Sequence, residues 1–226
     1  MRISEIISES AIAETDIVEA SIFDERTLKN TAWESPKQLV AWLKSNGFEK
    51  LGGGVFAAAW AKPGHNRVVK VSNRQDDCWI KFAQWSMAKT NNTHLPKIPW
   101  IKRYQGKRKG IATEFFITII ERLKPLTKTA IARINDPGVL LGLMHYANLD
   151  YNTEQSIEKA MSKQPNPQQF SDRKVLTKYK NHPFIKAIQQ ISNISGDCWS
   201  DLHSGNLMVR NDGTIIITDP IAGDFT

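Results

Sequence analysis

The chain has 226 residues, 41% hydrophobic and 23% charged, with a formal net charge of +7. Those values describe an ordinary globular chain long enough to bury a core as one domain or two small lobes. No apolar run approaches the ~20 residues a membrane-spanning helix needs, and the opening "MRISEIISES" lacks the apolar core of a secretory signal. The two cysteines, Cys78 and Cys198, offer no disulfide framework and no zinc spacing, so a reducing, cytoplasmic setting is the expectation.

In chain order, residues 1–34 read as an acidic helical appendage. The first 35 residues hold eight acidic side chains against Arg2, Arg26 and Lys29, which leaves the remainder strongly basic. A basic body favours polyanions such as nucleotides or nucleic acids, but it is equally compatible with simple solubility. The appendage carries Ile3, Ile6, Ile7, Ile12, Ile17, Val18, Ile22 and Phe23. It is suited to dock on the basic body, within the chain or across an oligomer. "SPKQLVAWLKSNGF" reads as a helix with Ser35 as cap, Pro36 at the first helical position and Gly47 at the end. "FEKLGGGVFAAAWAKPGHNRVVKVS" reads as strand-like runs around a Pro63-Gly64 turn. Asp76 to Lys89 has helical spacing at Ile80, Ala83 and Met87. A hairpin with a basic tip and an apolar second strand over 114–120 follows, and after Pro125 the pattern turns helical. "PGVLLGLMHYA" and "HPFIKAIQQISNI" read as helices separated by a polar stretch, 152–181. Strands early and helices late imply an α+β fold with a β-rich lobe and a helical lobe.

The segment "DLHSGNLMVRNDGTIIITDP", residues 201–220, concentrates the chemistry. Asn211-Asp212-Gly213 supplies hairpin-turn residues between two short Val/Ile-rich strands. An antiparallel pair brings Asn206 and Asp219 side by side, with Asp201 just outside them. Asn206 and Asp219 offer hard oxygen ligands of the kind Mg²⁺ takes. Upstream, Gly52, Gly53 and Gly54 allow close backbone approach to an anion. Lys70, on a strand, points to the face opposite Val69 and Val71.

These features together resemble the protein-kinase-like superfamily, including its aminoglycoside phosphotransferase and choline kinase branches. Leu51, Gly52, Gly54 and Phe56 match an L-G-x-G-x-F glycine loop, Lys70 in "VVKV" matches the nucleotide lysine, and "DLHSGN" matches a D-x-H-x-x-N catalytic loop. The resemblance spans about residues 47 to 221. It implies a bilobal fold over 35–123 and 124–226, with ATP and Mg²⁺ as cofactors and a hydroxyl acceptor, protein or small molecule, as substrate. It casts Asp201 as catalytic, Asn206 and Asp219 as metal ligands, and Gly52, Gly53, Gly54, Phe56 and Lys70 as nucleotide contacts. Glu121 and Leu123 in "IIERLKP" become the hinge that meets adenine. His203 reads as a structural histidine that orients the loop. The sequence departs from that pattern at Trp199-Ser200, Pro220 and Ala57, and only Asp76 or Asp77 is available as acidic partner of Lys70. With few residues after Asp219, the helical lobe is reduced, without activation segment or later helices, and an oligomer or a partner protein would cover it. The alternatives are a nucleotide-binding pseudokinase and, using Lys102, Arg103, Lys107, Arg108 and Lys109 beside Trp100 and Tyr104, a nucleic-acid binder.

Overall fold

The computed structural model describes residues 25–108, 111–164, 167 and 174–223. The apolar positions expected to dock from 3 to 23 lie outside them. The described chain forms two compact units. One comprises residues 25–74 and Trp100–Arg122; the other comprises Gln75–Pro99 and residues 123–223.

The first unit is a five-stranded antiparallel sheet in the order β1-β2-β3-β5-β4. Its strands are β1 (Glu49–Gly53), β2 (Ala57–Ala61), β3 (Arg67–Asn73), β4 (Trp100–Arg108) and β5 (Ile111–Glu121). Alternation along β3 and β5 sends Val69, Val71, Phe115 and Ile117 to one face. There they pack with Trp60 and Tyr104 against Leu28, Trp33, Leu39, Leu43 and Phe48. Leu28 lies on helix α1 (Glu25–Asn30), and Leu39 and Leu43 lie four residues apart on α2 (Pro36–Ser45). Ser35 Oγ accepts the Gln38 N–H at 3.2 Å, and Gly47 leaves α2 at φ +75°, as the cap reading requires. The chain just before α2 lies on the sheet edge: Lys107 N–H donates to Glu34 O at 2.9 Å. Only a glycine fits at 106, because a Cβ there would meet Glu34 O at 2.4 Å. The edge strand β4 is thereby partly covered.

The second unit is mainly helical. Helix α3 (Asp77–Met87) comes first in sequence, followed by strand β6 (Lys124–Pro125) and helices α4 (Lys128–Ile131), α5 (Pro137–Tyr146), α6 (Tyr151–Met161), α7 (Lys174–Tyr179) and α8 (Pro183–Ile194). Asp136 caps α5 and His182 caps α8, each ahead of a proline at the first helical position. The two capping side chains also meet, His182 Nε2 lying 3.0 Å from Asp136 Oδ2. Leu140, Leu141, Leu143, Phe184, Ile185 and Ile188 are buried. A two-stranded ladder joins β7 (Trp199–Ser200) to β10 (Ile221–Ala222), and a three-stranded sheet has the order β6-β8-β9, with β8 Leu207–Val209 and β9 Ile215–Ile217. Gln75–Pro99, inside the span 35–123 by sequence, groups with this unit. Its ties explain why: Trp79 Nε1 donates to Thr218 O at 3.2 Å, and Ile217 N–H donates to His94 O at 3.0 Å.

The mixed α+β architecture agrees with the sequence reading, and two local expectations are overturned. Cys78 and Cys198 do form a disulfide, with Cα atoms 5.9 Å apart and 120 residues between them in sequence. The loop-entropy model credits a bridge of that span with about 4–5 kcal/mol of stability. The polar stretch 152–181 is not merely a separator, since it contains α6 and α7. Helix α6 buries only Ile157 and Ala160 among its residues, so its apolar stripe is too thin to register as a helical period.

Candidate active site

The hairpin of residues 201–220 is held by its ladder and by the bonds of its turn. Leu207 pairs with Ile217 and Val209 with Ile215. The turn closes with Arg210 N–H donating to Thr214 O at 3.0 Å, Gly213 at φ +90°, and Asp212 Oδ1 accepting the Thr214 N–H at 2.9 Å. That last bond, with the Thr214 side chain, holds the Asp212 carboxyl below its usual range. Before β8 a short 3-10 turn, Ser204–Asn206, lifts the chain out of the strand.

Asp201 and Asn206 meet across this turn. Asn206 Nδ2 donates to Asp201 O at 2.7 Å and to Asp201 Oδ2 at 3.0 Å. The amide nitrogen is thus committed to Asp201, which leaves Oδ1 as the ligand atom of Asn206. Two backbone bonds bracket Asp219: Thr218 N–H donates to Asn206 O at 2.9 Å, and Asp201 N–H donates to Pro220 O at 2.7 Å. The departure at Pro220 is tolerated because this position uses its carbonyl. His203 Nδ1 accepts the Gly205 N–H at 3.0 Å, and its Nε2 lies 3.0 Å from Asn206 Nδ2 and 3.8 Å from Asp201 Oδ1. Among the described residues no group of three or more His, Cys, Asp or Glu side chains clusters as a metal site; the candidate set is the Asp219 carboxylate with the Asn206 amide oxygen.

In the first unit the register places Gly52, Ala59, Lys70, Thr118 and Ile101 in one cross-strand row. Lys70 is therefore flanked by Ala59 on β2 and Thr118 on β5, with Gly52 of β1 one strand beyond Ala59. Gly52 and Gly53 belong to β1 itself, and a bulge interrupts the ladder between Lys50 and Gly52. The turn follows: Gly54 N–H donates to Ala57 O at 2.9 Å, and Phe56 O accepts the Asn73 N–H at 2.8 Å. A Cβ at Gly52 or Gly54 would meet nothing within 4 Å, whereas at Gly53 it would lie 3.0 Å from Ala57 O. Gly53 is closely approached within the hairpin; Gly52 and Gly54 border open space.

Glu121 ends β5 opposite Arg67, and Leu123 directly precedes β6, where Lys124 pairs with Val209. Asp77 sits in the first turn of α3 and Asp76 directly before it. Of the two aromatic residues beside the basic hairpin, Trp100 is half-buried and Tyr104 is withdrawn from the surface. Tyr104 is buried with its hydroxyl donating to Leu28 O at 3.3 Å, Lys102 Nζ sits 5.0 Å over the Tyr104 ring, and Arg103 pairs with Glu114.

One supporting pair is absent from the sequence reading. Asp150 caps α6 by accepting the Thr153 N–H at 3.1 Å, and its Oδ2 also accepts from the Thr153 hydroxyl at 2.6 Å and the Ser204 hydroxyl at 2.8 Å. Those bonds, the Thr153 hydroxyl foremost, hold the Asp150 carboxyl down at about 2. Asn148 N–H donates to Leu202 O at 2.7 Å in the same place. The Asp150–Thr153 spacing is a capping signal, but nothing in sequence links it to Ser204, fifty-four residues on.

No curated protein matches the chain. A family model does, that of bacteriophage T7 protein kinase 0.7, over residues 3–225. The match includes the hairpin with Asp201, Asn206 and Asp219 as well as the glycine strand and Lys70. The chain belongs to the bacteriophage T7 protein kinase 0.7 family.

Proposed function

We propose that the chain is an ATP-dependent phosphotransferase in which Asp201 orients an acceptor hydroxyl and Asn206 and Asp219 hold Mg²⁺ on the nucleotide. The observation that carries the reading is the Asp201–Asn206 hydrogen bond at 3.0 Å, with Asp219 bracketed by the two backbone bonds at Thr218 and Pro220. The donor chemistry fits the metal, because the Asn206 amide oxygen and the Asp219 carboxylate are hard oxygen ligands. When bound, Mg²⁺ neutralises charge on the phosphate oxygens.

The rest falls to the chain itself. Asp201 accepts a proton from, or orients, the attacking hydroxyl, and the Asn206 amide fixes the carboxylate for that task. Lys70 contacts phosphate oxygens from its face of β3, and the β1–β2 hairpin covers them. The glycine strand at Gly52, Gly53 and Gly54, with Phe56, lines the nucleotide, and Glu121 and Leu123 meet the base. The acceptor is a hydroxyl of a protein or small molecule.

The test is a thermal shift with ATP and Mg²⁺, run beside transfer of labelled phosphate from ATP into a lysate. Binding that requires Mg²⁺ and vanishes in Asp219→Ala supports the metal assignment. An equal shift in wild type and Asp219→Ala rejects it. Mg²⁺-dependent binding without transfer to any acceptor would favour a pseudokinase.

A further inference from the structure

The disulfide lies where it can act on the candidate catalytic segment. Cys78 is in the first turn of α3; Cys198 directly precedes β7, three residues before Asp201. Strand β7 pairs with β10 through Ser200↔Ile221 and Trp199↔Ala222, so it is held between the bond on one side and the chain leaving Asp219 on the other. A Cβ on Gly223 would lie 3.2 Å from Cys78 Sγ and 3.6 Å from Asp77 Oδ1, which shows how closely that exit passes over the bond. The next residue of α3 reaches the strand entering Asp219, Trp79 Nε1 donating to Thr218 O at 3.2 Å. The first turn of α3 therefore grips the approach to Asp201 covalently and the approach to Asp219 by one hydrogen bond.

Between Cys198 and Asp201 the chain is held by the covalent bond, the β7–β10 ladder and the Asp201 N–H bond to Pro220 O at 2.7 Å. The β7–β10 ladder has two residue pairs, and two-stranded ladders of ordinary length are already marginal in water. Both cysteines are buried, but Cys198 is flanked by exposed Asp197, Trp199 and Ser200, so opening of β7 alone would uncover its sulfur.

We propose that the Cys78–Cys198 bond is a redox-sensitive positioning tether for the segment that carries Asp201: transfer is full when the bond is formed and falls when a dithiol reduces it. The activity readout rests on the phosphotransferase reading above. In the reduction, a thiolate of the dithiol attacks Cys198 Sγ and Cys78 leaves as a thiolate that takes up a proton. The second thiol of the reductant then displaces the mixed disulfide. Cys78 and Cys198 end as two thiols, the reductant ends as its own disulfide, and two electrons and two protons have passed to the protein. A small-molecule disulfide reverses the exchange.

The experiment uses the full chain, oxidised and dithiol-reduced, with thiol state read by alkylation and intact mass. Kinetics with ATP and Mg²⁺ and hydrogen exchange over residues 199–203 are measured on both forms and on Cys78→Val/Cys198→Val. Reduction is expected to lower kcat by roughly 10- to 10²-fold, the scale that a misplacement of about 1 Å costs, with ATP affinity nearly unchanged. The double variant should hold the low value whether or not dithiol is present, and exchange over 199–203 should quicken in both bond-free forms. Equal kcat in oxidised and reduced protein, or an equal dithiol effect on the double variant, overturns the proposal. So does a loss that only follows global unfolding in the melting curve. If oxidised wild type transfers no phosphate to any acceptor, the phosphotransferase reading fails separately. The tether then stands or falls on whether exchange over 199–203 responds to the bond.

Discussion

The glycine strand of the first unit and the Asp201–Pro220 segment of the second hold comparable shares of the candidate chemistry, yet they are held in opposite ways. All five residues of β1 are exposed, and the strand joins its sheet through a single neighbour with a bulge in the ladder. The Asp201 segment is tied by backbone bonds to Pro220, Thr218 and His94, by side chains of Trp79 and Asp150, and by a disulfide. A part that grips a flexible polyanion gains from yielding, whereas a part that aligns a proton acceptor loses rate with every misplacement. Under the proposed function, the contrast is one between an element to be ordered by its ligand and one ordered beforehand.

The largest break in that comparison comes from exchanging one group on each side. Asp201→Asn retains an oxygen for the Asn206 amide, so the loop should survive while transfer falls by roughly 10²–10⁴ and ATP affinity stays close to wild type. Lys70→Ala should instead weaken nucleotide binding by roughly 10- to 10²-fold, the scale of one charge-assisted hydrogen bond, and lower turnover with it. Steady-state kinetics with a binding titration separate the two. A matching loss of affinity in Asp201→Asn would contradict the division of roles.

Hydrogen exchange sharpens the same contrast. Adding ATP and Mg²⁺ should slow amides of residues 49–54 by roughly tenfold or more, while those of 206–209 and 215–218 change little because they are already protected. Strong new protection in the hairpin with none in the glycine strand would reverse the picture.

Two smaller effects test the framework of each unit. Gly106→Ala must push the Glu34 carbonyl off the sheet edge and should destabilise the chain by about 1–3 kcal/mol, read by denaturant unfolding. In the second unit, burial pulls the His94 pKa below 6.5, against the opposing bond to Ile215 O. The folded state resists a proton that the unfolded chain accepts, so this contribution is present above about pH 6.5 and is lost as pH falls below it. Melting temperature should decline through that range, and His94→Gln should flatten the decline. A wild-type profile that stays flat from pH 7 to about 5 would show that burial costs His94 nothing.

Much of this molecule is legible from residue order alone, because local rules decided it. Ser35-Pro36 and Gly47 bound α2, the Val/Ile alternation assigns Lys70 its face, and Asn211-Asp212-Gly213 turns the hairpin that sets Asn206 against Thr218, the residue before Asp219. Each depends on neighbours a few residues apart, where steric and hydrogen-bond preferences act without help from the rest of the chain. The tertiary structure decided the remainder. It joined Cys78 to Cys198 across 120 residues, set Ser204 on Asp150, drew Gln75–Pro99 into the second unit, and buried the Tyr104 ring that sequence had offered for stacking. Those outcomes turn on which distant surfaces meet, and no local pattern encodes a distance between residues that only the packed chain brings together.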